Sequence, residues 1–257
     1  MKSSLDMREN AGILWLTLNR PAKRNALDAG LVEELTAAFQ AAAHQDSVRV
    51  VVLTGAGADF CAGADLSELE KVSSQGPEAS LADASRLGRL FVLMRECPKP
   101  VLAAVRGRAL AGGCGLATAA DLVLAEEGAQ FGYPEVNLGF VPAMVMAILR
   151  RKVGESRAFA LAAGGKRISA REARDLGLVH QIWADHEFEK GVEDFAREWA
   201  GLPPGAVTLT KRLLYGLDGS SFHDAIDRGA EVNVLARSTE ACRAGVRAFL
   251  ERVRTQG

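Results

Sequence analysis

Two short, nearly unbroken apolar runs constrain this chain more than any other feature. Val48 to Thr54 reads VRVVVLT and Val101 to Val105 reads VLAAV. A strand with one wet face alternates apolar and polar residues, because successive side chains leave by opposite faces. A run without alternation suits a strand covered on both faces, as in a parallel sheet flanked by helices. Gly12 to Leu18 (GILWLTL) adds a third strand by its β-branched, aromatic and apolar content. Between these strands, apolar residues recur at helical spacing. Leu31, Leu35, Phe39 and Ala42 form one stripe, with Asp28 placed to cap it. Leu87, Leu90, Phe91 and Met94 form another, which Cys97-Pro98-Lys99-Pro100 must stop.

The remaining pattern predicts a helix from Gly112 to Ala119, a strand at Leu122–Ala125 and an extended piece at Ala129–Gly132. Helices follow at Met144–Val153 and Glu155–Ala163. Ser169-Ala-Arg-Glu172 is a capping box opening a helix to Leu176, and Val179–Trp183 is the last short strand. From about residue 186 everything is helical: a segment to Trp199, one from Pro204 to Leu217, and one long helix from Phe222 to about Val253. Leu66 to Ser80 reads as a polar, mobile loop broken at Gly76-Pro77. The fold class expected is α/β. Residues 1–257 form a single domain, with an α/β core over about 1–185 and a helical section over about 186–257.

Composition removes several function classes. The net charge is −1 and no extended basic run occurs, which argues against nucleic acid as the main partner. Cys61, Cys97, Cys114 and Cys242 stand apart, so a disulfide framework or a zinc site is not expected and a reducing compartment fits. The four histidines show no metal-ligand spacing, and no HExxH, Walker lysine or GxSxG elbow occurs. The polar start MKSSLDMREN and the short run Ile13–Leu18 offer no signal segment or membrane span. A soluble, cytoplasmic protein with no membrane partner is expected.

Three local features bear on chemistry. Gly112-Gly113 opens a helix, where unpaired N–H groups and the positive dipole end favour an anion or oxyanion. The bland alternative is a glycine pair needed for close packing. Cys61-Ala-Gly-Ala-Asp-Leu66 has the same small-residue character, with Asp65 able to cap a turn. Glu135 follows Pro134 among Phe131, Tyr133, Val136 and Leu138. A carboxyl in apolar surroundings has a raised pKa and becomes a competent acid or base. Its alternative is a surface glutamate whose apolar neighbours turn inward. Gly55-Ala-Gly57-Ala-Asp59-Phe60 begins like a dinucleotide fingerprint but lacks the third glycine, so a turn leaving a strand is the better reading.

Taken together the motifs resemble the enoyl-CoA hydratase/isomerase, or crotonase, family. They run in order: LNRPAKRNAL from Leu18, VVLTG from Val51, FCAGADL from Phe60, PKPVLAAVRG from Pro98, Gly112-Gly-Cys, FGYPEVNLG from Phe131, and AFLER from Ala248. The resemblance implies a crotonase-like spiral of ββα repeats with a C-terminal helical trimerisation region, assembled as a homotrimer or homohexamer. It implies an acyl-CoA thioester as substrate, with no metal and no separate cofactor, since coenzyme A is part of the substrate. By matching position, the backbone N–H groups of Ala64 and Gly112 would hold the thioester oxygen, and Glu135 would be the acid–base group. The coenzyme and thioester would lie along Lys23, Arg24, Ala26, Ala62, Gly63, Asp65, Leu66, Gly113 and Pro134. Phe249 and Arg252 match residues that reach a neighbouring subunit's coenzyme.

One position departs from the pattern. Typical hydratases of this family carry a second glutamate where this chain has Gly115. A single glutamate resembles the isomerases, in which one base moves a proton between carbons. The surrounding Gly115-Leu-Ala, Glu135-Val and Gly139-Phe-Val-Pro-Ala143 resemble methylglutaconyl-CoA-type hydratases, which share the glycine. Hydration of a 2-enoyl-CoA is therefore the expected activity. Isomerisation of a 3-enoyl-CoA, and acyl-CoA binding with little catalysis, are the alternatives. The acyl group would meet residues between Leu69 and Arg89 and between Phe140 and Ala147.

Overall fold

The computed structural model describes residues 3–256. The chain enters through a hairpin of β1 (Leu5–Asn10) and β2 (Ile13–Leu18), turned by Ala11 at φ +51° and Gly12 at φ +78°. Positive φ at both central residues is what a tight hairpin requires. β1 carries one buried residue, Leu5, so its sequence has no alternation to reveal it. A 3-10 turn at Pro21–Lys23 leads to α1 (Ala29–His44), capped by Asp28, whose Oδ1 accepts from Leu31 N at 2.9 Å. β3 (Val50–Gly55) follows.

The stretch expected to be a mobile loop after Asp65 is helical: α2 spans Leu66–Ser73 and α3 spans Pro77–Glu96. Asp65 starts α2 by accepting from the Ser67 N–H, and Gly76, at φ +103°, separates the two helices ahead of Pro77. The polar composition reflects exposure of α2, which buries no residue, rather than lack of structure. After the proline stop come β4 (Val101–Val105), β5 (Arg108–Leu110), α4 (Gly112–Ala119), β6 (Leu122–Glu126) and β7 (Gln130–Gly132). A 3-10 segment at Pro134–Leu138 then leads to α5 (Met146–Val153), α6 (Glu155–Gly164), β8 (Arg167–Ser169) and α7 (Ala170–Asp175). The capping box of Ser169 and Glu172 forms as the sequence predicts.

β9 (Gln181–Trp183) is followed by α8 (Asp185–Gly201), α9 (Pro204–Gly216), α10 (Phe222–Ser238) and α11 (Glu240–Gln256). The single long terminal helix expected from the pattern is two helices. Thr239 is extended at ψ 145°, its N–H bonds back to Ala236 O, and its hydroxyl accepts from Cys242 N. A threonine hydroxyl that caps a new turn competes with helix continuation.

The larger sheet has the order β1-β2-β3-β4-β6-β9, parallel throughout except for the first hairpin. Its central strands are buried from both sides, as the apolar runs require. Leu14, Leu16, Val51, Leu53, Val101, Ala103 and Val123 join the main core under α1, α3 and α4. The alternate residues Ile13, Val50, Val52, Leu102, Ala104 and Leu124 form a second cluster under Phe188, Val192 and Ala196 of α8. A smaller sheet, β5-β7-β8, stands at the end where β4 leaves the large one. No helix among the described residues is long and apolar enough to cross a membrane.

Candidate active site

The site begins with how two loops are brought together. Asn25, fully buried at φ +56°, donates to Ala56 O (2.9 Å) and Asp59 O (2.8 Å) and accepts from Arg20 N. It ties the Pro21–Leu27 segment to the turn after β3. At Gly55 a Cβ would stand 2.4 Å from both Asp59 O and Phe60 O. That close backbone approach explains the glycine, and the turn reading of this segment holds. Asp59 then clamps Arg108 through two side-chain bonds, Nε to Oδ1 at 2.6 Å and Nη2 to Oδ2 at 2.7 Å. The Arg108 guanidinium beside Asp59 holds its carboxyl below the usual carboxylate range. Phe60 N–H to Arg106 O and Cys61 N–H to Arg108 O complete the seam between the loop and β5.

This seam delivers the Ala62–Leu66 loop to the start of α4. At Gly63 (φ +107°) a Cβ would lie 2.8 Å from Ala111 Cβ and 3.5 Å from Gly112 N. At Gly112 a Cβ would lie 3.8 Å from Ala64 N. The amides of Ala64 and Gly112 are therefore neighbours. Among the described residues neither N–H donates to any acceptor, while Leu27 N–H bonds Gly63 O and Asp65 N–H bonds Leu27 O on either side. Ala111 precedes Gly112 at φ +48°, ψ −127°, pinned by its N–H to Gly132 O and by Gly115 N–H to its own O. Such a backbone costs an alanine about 1–3 kcal/mol and persists only where the surroundings fix it.

The two glycines of the pair have different jobs. Gly112 faces the cleft with only ordinary contacts around its would-be Cβ. At Gly113 a Cβ would stand 2.3 Å from Cys61 O. Gly113 is thus a packing glycine, and the bland reading of the pair is right for one of its members.

A cleft of about 830 Å³ opens in front of these amides. It gathers Lys23, Arg24, Ala62, Ala64, Leu66, Gly112, Pro134 and Glu135 of the residues singled out from sequence. Ala26, Gly63, Asp65 and Gly113 stand behind that wall. Ala26 O accepts from the Arg20 guanidinium, which also pairs with Asp28 (2.8 Å) and Asp65 (3.1 Å). Asp65, held below the usual carboxylate range first by its bond to Ser67, is committed to the α2 cap and Arg20. Phe249 and Arg252 lie exposed on α11, outside the cleft. Arg108 and Arg167 line it and carried no sequence signal: Arg108 sits in a three-residue strand 49 positions from its partner, and Arg167 begins another such strand.

Glu135 sits in the 3-10 segment after β7, only 8% exposed. Among the described residues its Oε2 is buried without a hydrogen-bond partner. Burial raises its pKa above the ordinary value. This decides between the two sequence readings: the carboxyl is buried beside the cleft rather than displayed on the surface. A buried carboxyl with one unpartnered oxygen beside a cavity is a candidate for proton transfer. The nearby thiols are not competitors, since burial pushes Cys61 up to about 12 and Cys114 up to about 11.

The model of the family described as Enoyl-CoA hydratase/isomerase matches residues 8–256. This chain belongs to the enoyl-CoA hydratase/isomerase family. A Thermus thermophilus relative, provisionally named an enoyl-CoA hydratase, is 41% identical over 244 residues, 95% of this chain and 96% of that one. The 2,3-dehydroadipyl-CoA hydratase of Escherichia coli is 35% identical over 97% of this chain and 96% of its own length. Among solved structures, a Mycobacterium smegmatis enoyl-CoA hydratase superimposes with a TM-score of 0.92 at 30% identity, covering 98% of this chain and 97% of that one. Pseudomonas aeruginosa AtuE gives 0.92 at 34% identity, with 97% of each covered. The crotonase fold and the C-terminal helices expected from sequence are thereby shown.

At Gly115 a side chain would enter the cleft only by pressing on the Phe91 ring. A Cβ there would meet Phe91 Cζ at 3.1 Å and Val145 Cβ at 3.5 Å. Phe91, Leu87, Met144 and Val145 make this end of the cleft an apolar wall.

Proposed function

We propose that the protein adds water to a 2-enoyl-CoA thioester, with Glu135 as its single acid–base residue. The observation that carries this reading is the buried Glu135 carboxyl, its Oε2 without a partner among the described residues, in one cleft with the two unpaired N–H groups of Ala64 and Gly112. The thioester oxygen accepts from both amides. The Glu135 carboxylate takes a proton from water as the water oxygen bonds to C3. Electrons move through C2 to the thioester oxygen, and the amides stabilise the resulting enolate. The enolate then collapses as C2 takes the proton from Glu135, which restores the carboxylate. Each atom of water ends on the product, so one carboxyl suffices if both transfers occur on one face.

Lys23 and Arg24, at the cleft mouth, suit the phosphates of coenzyme A. The apolar residues exposed on α10 and α11, among them Phe222, Ile226, Leu235 and Phe249, suit burial between subunits in a trimer or a pair of trimers. A cytoplasmic location fits such an enzyme.

A second reading, the shift of a 3-enoyl double bond to the 2-position, is favoured by the apolar wall at Gly115, which offers water no second carboxylate. A mass-resolved assay with crotonyl-CoA, 3-hexenoyl-CoA and 3-methylglutaconyl-CoA separates the two. A product heavier by one water, lost about 10²–10⁴-fold in Glu135→Gln, supports hydration. An isobaric product from 3-hexenoyl-CoA alone supports isomerisation. Tight acyl-CoA binding without turnover would overturn both.

A further inference from the structure

On the far side of the apolar wall a second cavity of about 660 Å³, open to solvent, lies between α3 and α5. Phe91 and Met144 line both this cavity and the catalytic cleft, so they form the partition between the two. The partition consists of side chains that can adjust. Phe91 stands next to Gly115 on one side, and Met144 Cγ would lie 3.5 Å from a Cβ at Gly88. Methionine, unbranched and with three side-chain torsions, yields readily to a ligand. Small residues, Ser85 and Gly88 on α3 and Ala147 in the first turn of α5, keep the space open.

The charge in the second cavity is one-sided. Arg89, Arg95 and Arg151 line it, and Asp218 is the sole acidic residue among those lining it. Asp218 is shared, 2.8 Å from Arg151 and 3.5 Å from Arg95, and Arg95 also stacks 3.8 Å from the centre of the Tyr215 ring. Arg89 is exposed at the rim and has no ion pair or side-chain hydrogen bond with any described residue. Two arginines held in place and a third without a partner, beside apolar Val92 and Ile148, describe a site for an anion at the end of an apolar chain.

We propose that this cavity receives the far end of the acyl chain and that Arg89, supported by Arg95 and Arg151, binds a carboxylate there. The preferred substrate is then a thioester whose acyl chain ends in a second carboxyl group. The proposal rests on the acyl-CoA reading of the cleft, but it is a statement about binding and can be tested without turnover. Dissociation constants are measured by calorimetry for saturated pairs that differ only in the distal carboxyl: hexanoyl-CoA against adipyl-CoA, and the eight- and ten-carbon equivalents.

The carboxylated member is expected to bind at least 10-fold tighter at one or more chain lengths. Arg89→Gln should reduce that ratio at least 5-fold, with Arg89→Lys between the two. Equal affinity within every pair would overturn the proposal. So would equal weakening of both members in Arg89→Gln, which would assign the arginines to coenzyme phosphates or to folding. If every acyl-CoA fails to bind, the reading of the main cleft falls as well. If the pairs separate as expected but no enoyl-CoA turns over, the cavity stands and the proposed reaction fails.

Discussion

The wall of the cleft that carries Ala64 and Gly112 is fixed from behind at nearly every residue, whereas the wall built by α2, α3 and residues 138–147 leaves much of its apolar surface free. On the first wall Asn25 is fully buried, Asp59 grips Arg108 twice, and Gly55, Gly63 and Gly113 admit no Cβ without a clash. On the second, Leu138, Phe140 and Val141 are 70%, 51% and 62% exposed. The difference separates two tasks. An oxyanion site works through amides held where charge develops, so its support must be stiff. A surface that sorts acyl chains gains from side chains that can move aside.

The largest effect that sharpens this comparison is at Gly112. It is the first residue of α4, where proline is tolerated because that N–H has no helical partner. Gly112→Pro should remove the donor while keeping the helix. The expected loss is about 10²–10³-fold in kcat, with melting temperature near wild type. A large fall in melting temperature would mean that Gly112, like its neighbour, is a packing residue.

Gly113→Ala is the converse. Its Cβ must displace the Cys61 carbonyl, so a destabilisation of about 3 kcal/mol is expected, measured by urea unfolding. If Gly113→Ala is neutral, the rigid wall is softer than its contacts indicate. On the open wall, Phe140→Ser should change stability by less than about 0.5 kcal/mol. It should raise KM for an apolar acyl-CoA about 5-fold, through roughly 1 kcal/mol of lost apolar contact. A stability loss comparable to that of Gly113→Ala would remove the distinction between the walls.

The two walls also differ in how far sequence revealed them. The buried strands, the start of α4 and the carboxyl at 135 were legible, because apolar runs, glycines and an isolated charge are local signals. The clamp that sets the amides was not. Asp59 and Arg108 are 49 residues apart, and nothing near either one points to the other. Asn25 lay inside a recognised motif, yet its task depends on carbonyls more than 30 residues away. α2 was hidden for another reason. It buries no residue, and its apolar stripe is only three residues, Leu66, Leu69 and Val72, so the Asp65 cap is its other local signal. The role of Gly115 was visible only as a missing glutamate. That Phe91 and Val145 occupy its surroundings is a tertiary fact.

The smallest prediction sets the carboxyls of Glu135 and Asp59 against each other. Burial raises the pKa of Glu135 above its unfolded value, so the folded state favours its protonated form. Its burial costs nothing below the ordinary carboxylate range and costs progressively more as pH rises through the raised pKa. Glu135→Gln should therefore be more stable than wild type at pH 8, and the difference should vanish near pH 4. Asp59 has the opposite sign. Its bonds to Arg108 lower its pKa, so its contribution is present at neutral pH and is lost as pH falls through the lowered value. Asp59→Asn should be destabilised at pH 8 and should approach wild type in acid. Melting temperatures of the three proteins across this range test both signs in one experiment. Parallel curves for the two variants would mean that both carboxyls serve the fold. Curves of opposite slope would mean that Glu135 is kept in its buried position against the interest of stability, which is the mark of a group retained for the reaction.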